Sequence, residues 1–297
     1  MAFALFLFLA LLVVLLALAF TVIAVAYVAS RRLVKPPRRI GGWTPRDLGL
    51  DYEDFTFRAS DNCVLKGWLV KGDPRRVVVV VHGYTSSKWD EDYVKPALEA
   101  LGRAGYSVVA VDMRGHGESG CETTLGYRES FDVEQLVGYL RGFGFEKVAL
   151  YGFSMGGAIS IMAGSRSRVE ALVLDSPYVD IRESGRRWVG RTRGLLGLLL
   201  RLSYPLIMFN ASRMIGVSPG ELVMYKYAEK VNAATLLVAP LRDDLISPGE
   251  YKRLEEHLRT GTRVVEAWYP ETRHVGAWRD FKSEYEARLK GFLEKYL

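Results

Sequence analysis

The sequence predicts an α/β domain, a mostly parallel sheet covered by helices on both faces, with a helical cap insert and a preceding apolar amino-terminal helix. Three observations carry this expectation. Short β-branched runs recur with no polar face, as at Val77–Val81, and a run of that kind belongs to a strand buried on both sides. Most of these runs are separated by segments with apolar spacings of three and four, the signature of helices. Between Ala2 and Ala29 no side chain is charged.

That first segment, as a helix rising about 1.5 Å per residue, would be roughly 42 Å long, enough to cross a hydrocarbon core of about 30 Å with tilt. It reads as a transmembrane anchor over residues 1–30. A cleaved signal peptide would begin with a basic region, and here no Lys or Arg precedes residue 31, although Ala24-x-Ala26 has the form of a cleavage site. Arg31, Arg32, Lys35, Arg38 and Arg39 follow directly, and such a cluster stays on the cytoplasmic side. A single-pass membrane protein with a cytoplasmic catalytic body is therefore expected. Pro36, Pro37, Gly41 and Gly42 mark residues 31–50 as a linker.

The body begins at about residue 51. Residues 52–58 and 63–70 alternate apolar with polar around Ala59–Asn62, an antiparallel pair. Further strands are expected at Val77–Val81, Ser107–Val111, Val148–Tyr151, Val169–Leu174, Thr235–Ala239 and Val264–Trp268. Helices are expected at 91–103, 130–141, 155–165, 248–259 and 279–296. The stretch of about 176–234 is too long for a loop and reads as the cap. Within it Leu195–Phe209 is nearly all apolar, but Gly197, Arg201 and Pro205 interrupt it, which argues for a cap helix over a second span. With Trp188, the nearby Arg186, Arg187, Arg191 and Arg193 resemble a membrane-surface face suited to anionic headgroups, the alternative being that the leucines close the active site and the arginines are solvated.

The net charge of +6 is spread along the chain with no recognition module, which excludes a nucleic-acid partner. Cys63 and Cys121 belong to no CxxC or Cys/His cluster, so a metal is not expected and the pair reads as free, partly buried thiols. One Gln and three Asn are few amides for 297 residues, a composition expected of a heat-adapted protein.

The chemistry centres on Gly152-Phe153-Ser154-Met155-Gly156, which joins a strand directly to a helical continuation. A sharp turn there strains the serine backbone, and Gly152 and Gly156 remove the Cβ atoms that would clash. Ser154 is then an exposed nucleophile, which needs a base and an acid to orient that base. In a fold with this elbow the order along the chain is Ser, acid, His, which passes over His82 and His116. His257 falls in a covering helix, so His274, in the turn after the last strand, is the expected base. Asp243 and Asp244 both follow Thr235–Ala239. Asp244 is favoured as the acid, with Asp243 as a solvated turn residue or cap and Asp175 in a turn with Ser176-Pro177. The backbone donors for an oxyanion are expected from Met155, after the nucleophile, and Tyr84, in the loop after Val81-His82-Gly83. His82 reads as a brace for that loop. Gly115-His116-Gly117-Glu118-Ser119-Gly120 satisfies G-x-G-x-x-G, but no helix begins there to receive a pyrophosphate.

Four motifs in order, His82-Gly83, Asp112-x-Arg114-Gly115-His116-Gly117-x-Ser119, Gly152-x-Ser154-x-Gly156-Gly157 and Asp244-x-x-x-Pro248 before His274, resemble the α/β-hydrolase superfamily from about residue 50 to 297. Within it the chain looks most like single-span, membrane-anchored α/β-hydrolase-domain proteins. That resemblance implies cleavage of an acyl ester or thioester; a small-molecule or lipid acyl substrate is expected, no cofactor is, since serine acyl transfer needs none, and membrane contact is expected through the anchor, with the cap as a second candidate. Ser247 departs from the Val that relatives commonly carry before the proline, which touches the choice between Asp244 and its neighbours. An amidase or peptidase using the same residues, and a non-catalytic membrane-bound binding module, are the competing function classes.

Overall fold

The computed structural model describes residues 1–262 and 264–297. After helix α1 (Ala2–Val34) come strands β1 (Tyr52–Arg58), β2 (Val64–Val70) and β3 (Arg76–Val81), helix α2 (Val94–Arg103), strand β4 (Ser107–Val111) and helix α3 (Tyr127–Gly142). Strand β5 (Lys147–Phe153), helix α4 (Met155–Gly164) and strand β6 (Ala171–Asp175) follow. The insert holds α5 (Ile181–Gly190), α6 (Gly194–Ile215) and α7 (Tyr225–Ala228). The chain closes with β7 (Ala234–Val238), α8 (Pro248–Gly261), β8 (Val265–Trp268), α9 (Ala277–Asp280) and α10 (Lys282–Tyr296).

The eight strands form one sheet in the order β1-β2-β4-β3-β5-β6-β7-β8, antiparallel at β1, β2 and β4 and parallel from β4 onward. Alternate residues of β3 feed two cores: Val77, Val79 and Val81 on one face, Val78 and Val80 on the other. A strand without a polar face is therefore required there. The hairpin from β1 to β2 turns at Asn62 with φ of +66°, a left-handed state that asparagine tolerates.

Register brings the strand ends to one level. Val81 pairs with Gly152, Phe153 with Asp175, Asp175 with Val238 and Val238 with Trp268. The residues just beyond these ends, which include His82, Ser154, Asp243 and His274, thus converge on the carboxyl edge, where open α/β sheets hold their ligands.

Two expectations need correction or extension. Cys63 and Cys121 are not free thiols: they are joined in a disulfide whose Cα atoms lie 5.9 Å apart. The start of β2 and the loop after β4 are neighbours only because β2 pairs with β4, a contact that cysteine spacing cannot reveal. The bridge closes a separation of 58 residues, worth about 4 kcal/mol in the loop-entropy account. Cys63→Ser is expected to lower the unfolding free energy by about that amount, read from denaturant melts, and added reductant should do the same to the unaltered chain.

The amino-terminal helix also runs past residue 30 to Val34. Residues 2–21 are exposed, whereas Ala26, Ser30 and Val34 are buried, one every four residues. That stripe faces the body, and α1 packs on α6. Ser30 Oγ, which lies 2.6 Å from Ala26 O in its own helix, also reaches Ile207 O at 3.1 Å, and Ser203 Oγ donates to Val22 O at 3.1 Å. Beyond the helix Pro36 and Trp43 are buried, and Trp43 Nε1 donates to Trp89 O at 2.8 Å. The segment expected as a linker is thus held to the body at Trp43, while residues 37–42 are exposed.

Candidate active site

Ser154 sits between β5 and α4 with φ of +52°, a strained state for a residue with a side chain. Glycine is required on either side of it. A Cβ at Gly156 would collide with the Val81 and His82 carbonyls, and one at Gly152 with Gly156 O. The Ser154 amide donates to Asp175 O at 2.8 Å, which holds the turn against the end of β6.

His274 lies in the loop between β8 and α9. Its Nε2 is 2.8 Å from Ser154 Oγ and its Nδ1 is 2.7 Å from Asp243 Oδ2. A carboxylate accepts only, so Nδ1 carries the proton and Nε2 is free to accept from the serine hydroxyl. The structure thus brings together Ser154 and His274 with Asp243.

Asp244, the acid expected from the sequence, is not in this chain of bonds and is corrected here. Its exposed carboxylate pairs with Arg191 at the end of α5. Asp243 turns inward because the fold satisfies its carboxylate there. Oδ1 accepts from Leu245 N at 2.8 Å and Ile246 N at 3.0 Å, and Oδ2 accepts from Tyr251 OH at 2.6 Å. Burial pushes the Asp243 carboxyl up, but the bond and charge of His274, with the Tyr251 and Leu245 donors, hold it below the ordinary carboxylate range. Tyr251, one turn into α8, is the residue that sequence reasoning missed. A hydroxyl on the inner face of the helix following the acid turn is its only sequence signal.

Asp175 is buried at the end of β6 and accepts from Ser176 Oγ at 2.7 Å and Tyr285 OH at 2.9 Å. Desolvation raises its pKa to about 6. His257 bonds Glu229 at 2.7 Å on the cover of the sheet. The glycine-rich segment 115–120 is a turn closed by Gly115 N to Gly120 O, and its Glu118 N donates to Asp112 Oδ2. The next helix, α3, does not begin until Tyr127.

The loop after β3 lies against the nucleophile: a Cβ at Gly83 would stand 3.4 Å from Ser154 Cβ. His82 Nδ1 donates to Gly83 O at 2.7 Å, while Nε2 accepts from Met113 N at 2.9 Å. His116 Nε2 accepts from Thr85 N at 3.2 Å. Burial lowers both imidazoles to about 4, so near neutral pH they are uncharged and each supplies the lone pair that the neighbouring amide needs. An unfolded His82 would titrate near 6.5. Between those values the unfolded chain binds a proton that the folded chain refuses, so this contribution to stability is lost as pH falls from about 6.5 to about 4. The stability gap between the unaltered chain and His82→Gln is expected to shrink by up to about 3 kcal/mol across that window. Paired denaturant melts at several pH values would check it, and a gap independent of pH would count against a neutral buried His82.

Met155 opens α4, so its N–H has no carbonyl one turn earlier to bond. Tyr84 follows Gly83 in the loop beside Ser154.

Comparison with known proteins bears on the fold and the family. The esterase Pf2001 of Pyrococcus furiosus superposes with a TM-score of 0.77 at 30% identity, covering 89% of this chain and 98% of that one. The chain belongs to the α/β-hydrolase superfamily. A family model described as "Serine aminopeptidase, S33" matches residues 72–217. The monoacylglycerol lipase of Mycolicibacterium smegmatis is 35% identical over 123 residues, 39% of this chain and 42% of that protein. An uncharacterized membrane protein of Saccharomyces cerevisiae is 28% identical over 178 residues, 56% of this chain and 61% of that protein. The chain thus spans about half the length of these curated relatives.

Proposed function

We propose that this α/β-hydrolase is membrane-anchored and cleaves carboxylic esters or thioesters with an apolar acyl group through an acyl-enzyme on Ser154. The observation that carries the reading is the continuous chain Ser154 Oγ, His274 Nε2, His274 Nδ1, Asp243 Oδ2, with steps of 2.8 and 2.7 Å. His274 takes the Ser154 proton as Oγ attacks the acyl carbon, and the Tyr84 and Met155 N–H groups receive the oxyanion. Collapse of the tetrahedral intermediate breaks the bond to the leaving alcohol or thiol, which takes the proton from His274. Water then attacks the acyl-serine, His274 again taking the proton and returning it to Ser154 Oγ. Asp243 stabilises the imidazolium through both halves of the cycle.

The membrane reading rests on the run of apolar residues 2–21, all of them exposed. The outer face of α6 supports cap contact with the same bilayer: Leu195, Leu198, Leu202, Leu206 and Phe209 are exposed at helical spacing. Arg187 and Arg191, by contrast, are engaged by Glu250 and Asp244, leaving less of the basic face for headgroups. The cluster from Arg31 to Arg39 favours a cytoplasmic body. The disulfide fits that compartment in a heat-adapted cell, as does the scarcity of amides.

An amidase or peptidase reading is the alternative, favoured by the description of the family model. Turnover of thioesters and esters graded from acetyl to long acyl chains, beside matched anilides, tests the choice. We expect kcat/KM to rise with acyl length on esters and thioesters. Faster cleavage of the anilides, or equal turnover of acetyl and long-chain esters, would refute the proposal.

A further inference from the structure

The last four carbonyls of a helix lack intrahelical donors and carry its partial negative charge. Two of those carbonyls in α1 receive a donor from the active-site loop. Tyr84 OH lies 2.9 Å from Leu33 O and 3.3 Å from Arg32 O. Burial pushes the phenol pKa up, so the hydroxyl keeps its proton and remains a donor.

The other ties of this loop all run to the hydrolase body. Gly83 N donates to Tyr93 OH at 3.3 Å, and His82 and His116 hold Gly83 O and Thr85 N as described above. These bonds flank Tyr84 on both sides without using its own amide. The side chain of Tyr84 joins the loop to the anchor, and the anchor is in turn held against α6 by its own Ser30 and by Ser203 of α6, and to the body by the Lys35–Glu122 pair at 2.5 Å. A mere tether needs none of these contacts. A loop that must present one amide to a developing charge gains from every restraint on its position.

We propose that Tyr84 is a positioning residue through which the carboxyl end of α1 sets the oxyanion loop, so that the anchor helix is a structural part of the active site. This rests on the hydrolase reading above. The bond ties the anchor to the amide that receives the oxyanion, and loosening α1 from α6 weakens transition-state stabilisation without touching substrate affinity.

The test uses the full chain in detergent micelles and the rate at which a fluorophosphonate labels Ser154, because its phosphoryl oxygen occupies the oxyanion site. Tyr84→Phe is expected to lower the maximal labelling rate about tenfold, part of the 10²–10³ associated with losing such a donor, with the half-saturating concentration unchanged. Ser30→Leu, which wedges α1 away from Ile207, should give a similar loss, and the double variant should add little to either. Labelling of Tyr84→Phe at the unaltered rate, or a change confined to half-saturation, overturns the proposal. So does a double variant whose losses multiply. If the unaltered chain itself is not labelled at Ser154, the hydrolase reading fails and this inference falls with it.

Discussion

Ser154→Ala is expected to lower kcat for ester hydrolysis by about 10⁶-fold and to abolish fluorophosphonate labelling while leaving the fold intact. The size follows from the division of labour at the site. His274 and Asp243 serve only to move the proton of Ser154 Oγ, so once the hydroxyl is gone neither contributes to acyl transfer. What survives is binding and the oxyanion donors, about 10³–10⁴ over water. Stability should change little, since among the described residues the side chain makes a single hydrogen bond, to His274. Initial rates on the best ester of the graded panel, with a thermal melt on the same preparation, would check both halves. Retention of more than a hundredth of the activity would show that another nucleophile does the work.

Asp243→Asn is expected to lower kcat/KM by about 10⁴-fold, and Asp244→Asn by less than about threefold. An amide at position 243 can donate to His274 Nδ1, which drives the ring proton to Nε2, where it blocks acceptance from Ser154. The Tyr251 hydroxyl and the Leu245 and Ile246 amides hold the 243 side chain in place, so the substitution changes the tautomer rather than the geometry. Among the described residues Asp244 has only its exposed pair with Arg191 to lose, and an exposed pair contributes between nothing and about 1 kcal/mol. Kinetics on the two single variants decide the matter. A large loss at 244 with activity kept at 243 would restore the acid first expected from the sequence and remove Asp243 from the mechanism.

The sequence of this chain determined the features whose cause is local. Strand runs such as Val77–Val81, the glycines flanking Ser154, and an uncharged stretch from Ala2 to Ala29 each follow from periodicity, steric clearance or composition within a few residues. Ser154 and His274 were legible for the same reason, as residues in turns at strand ends that a parallel sheet gathers on one edge. The choice between Asp243 and Asp244 was not. Adjacent turn residues differ only in which way the backbone rotates them, and that is settled by Tyr251 and two amides downstream together with Arg191 across the cap. The Cys63–Cys121 bridge and the docking of α1 on α6 and Tyr84 likewise belong to the tertiary structure. Each joins segments tens to nearly two hundred residues apart, and a contact of that range leaves no period or spacing in the chain to be read.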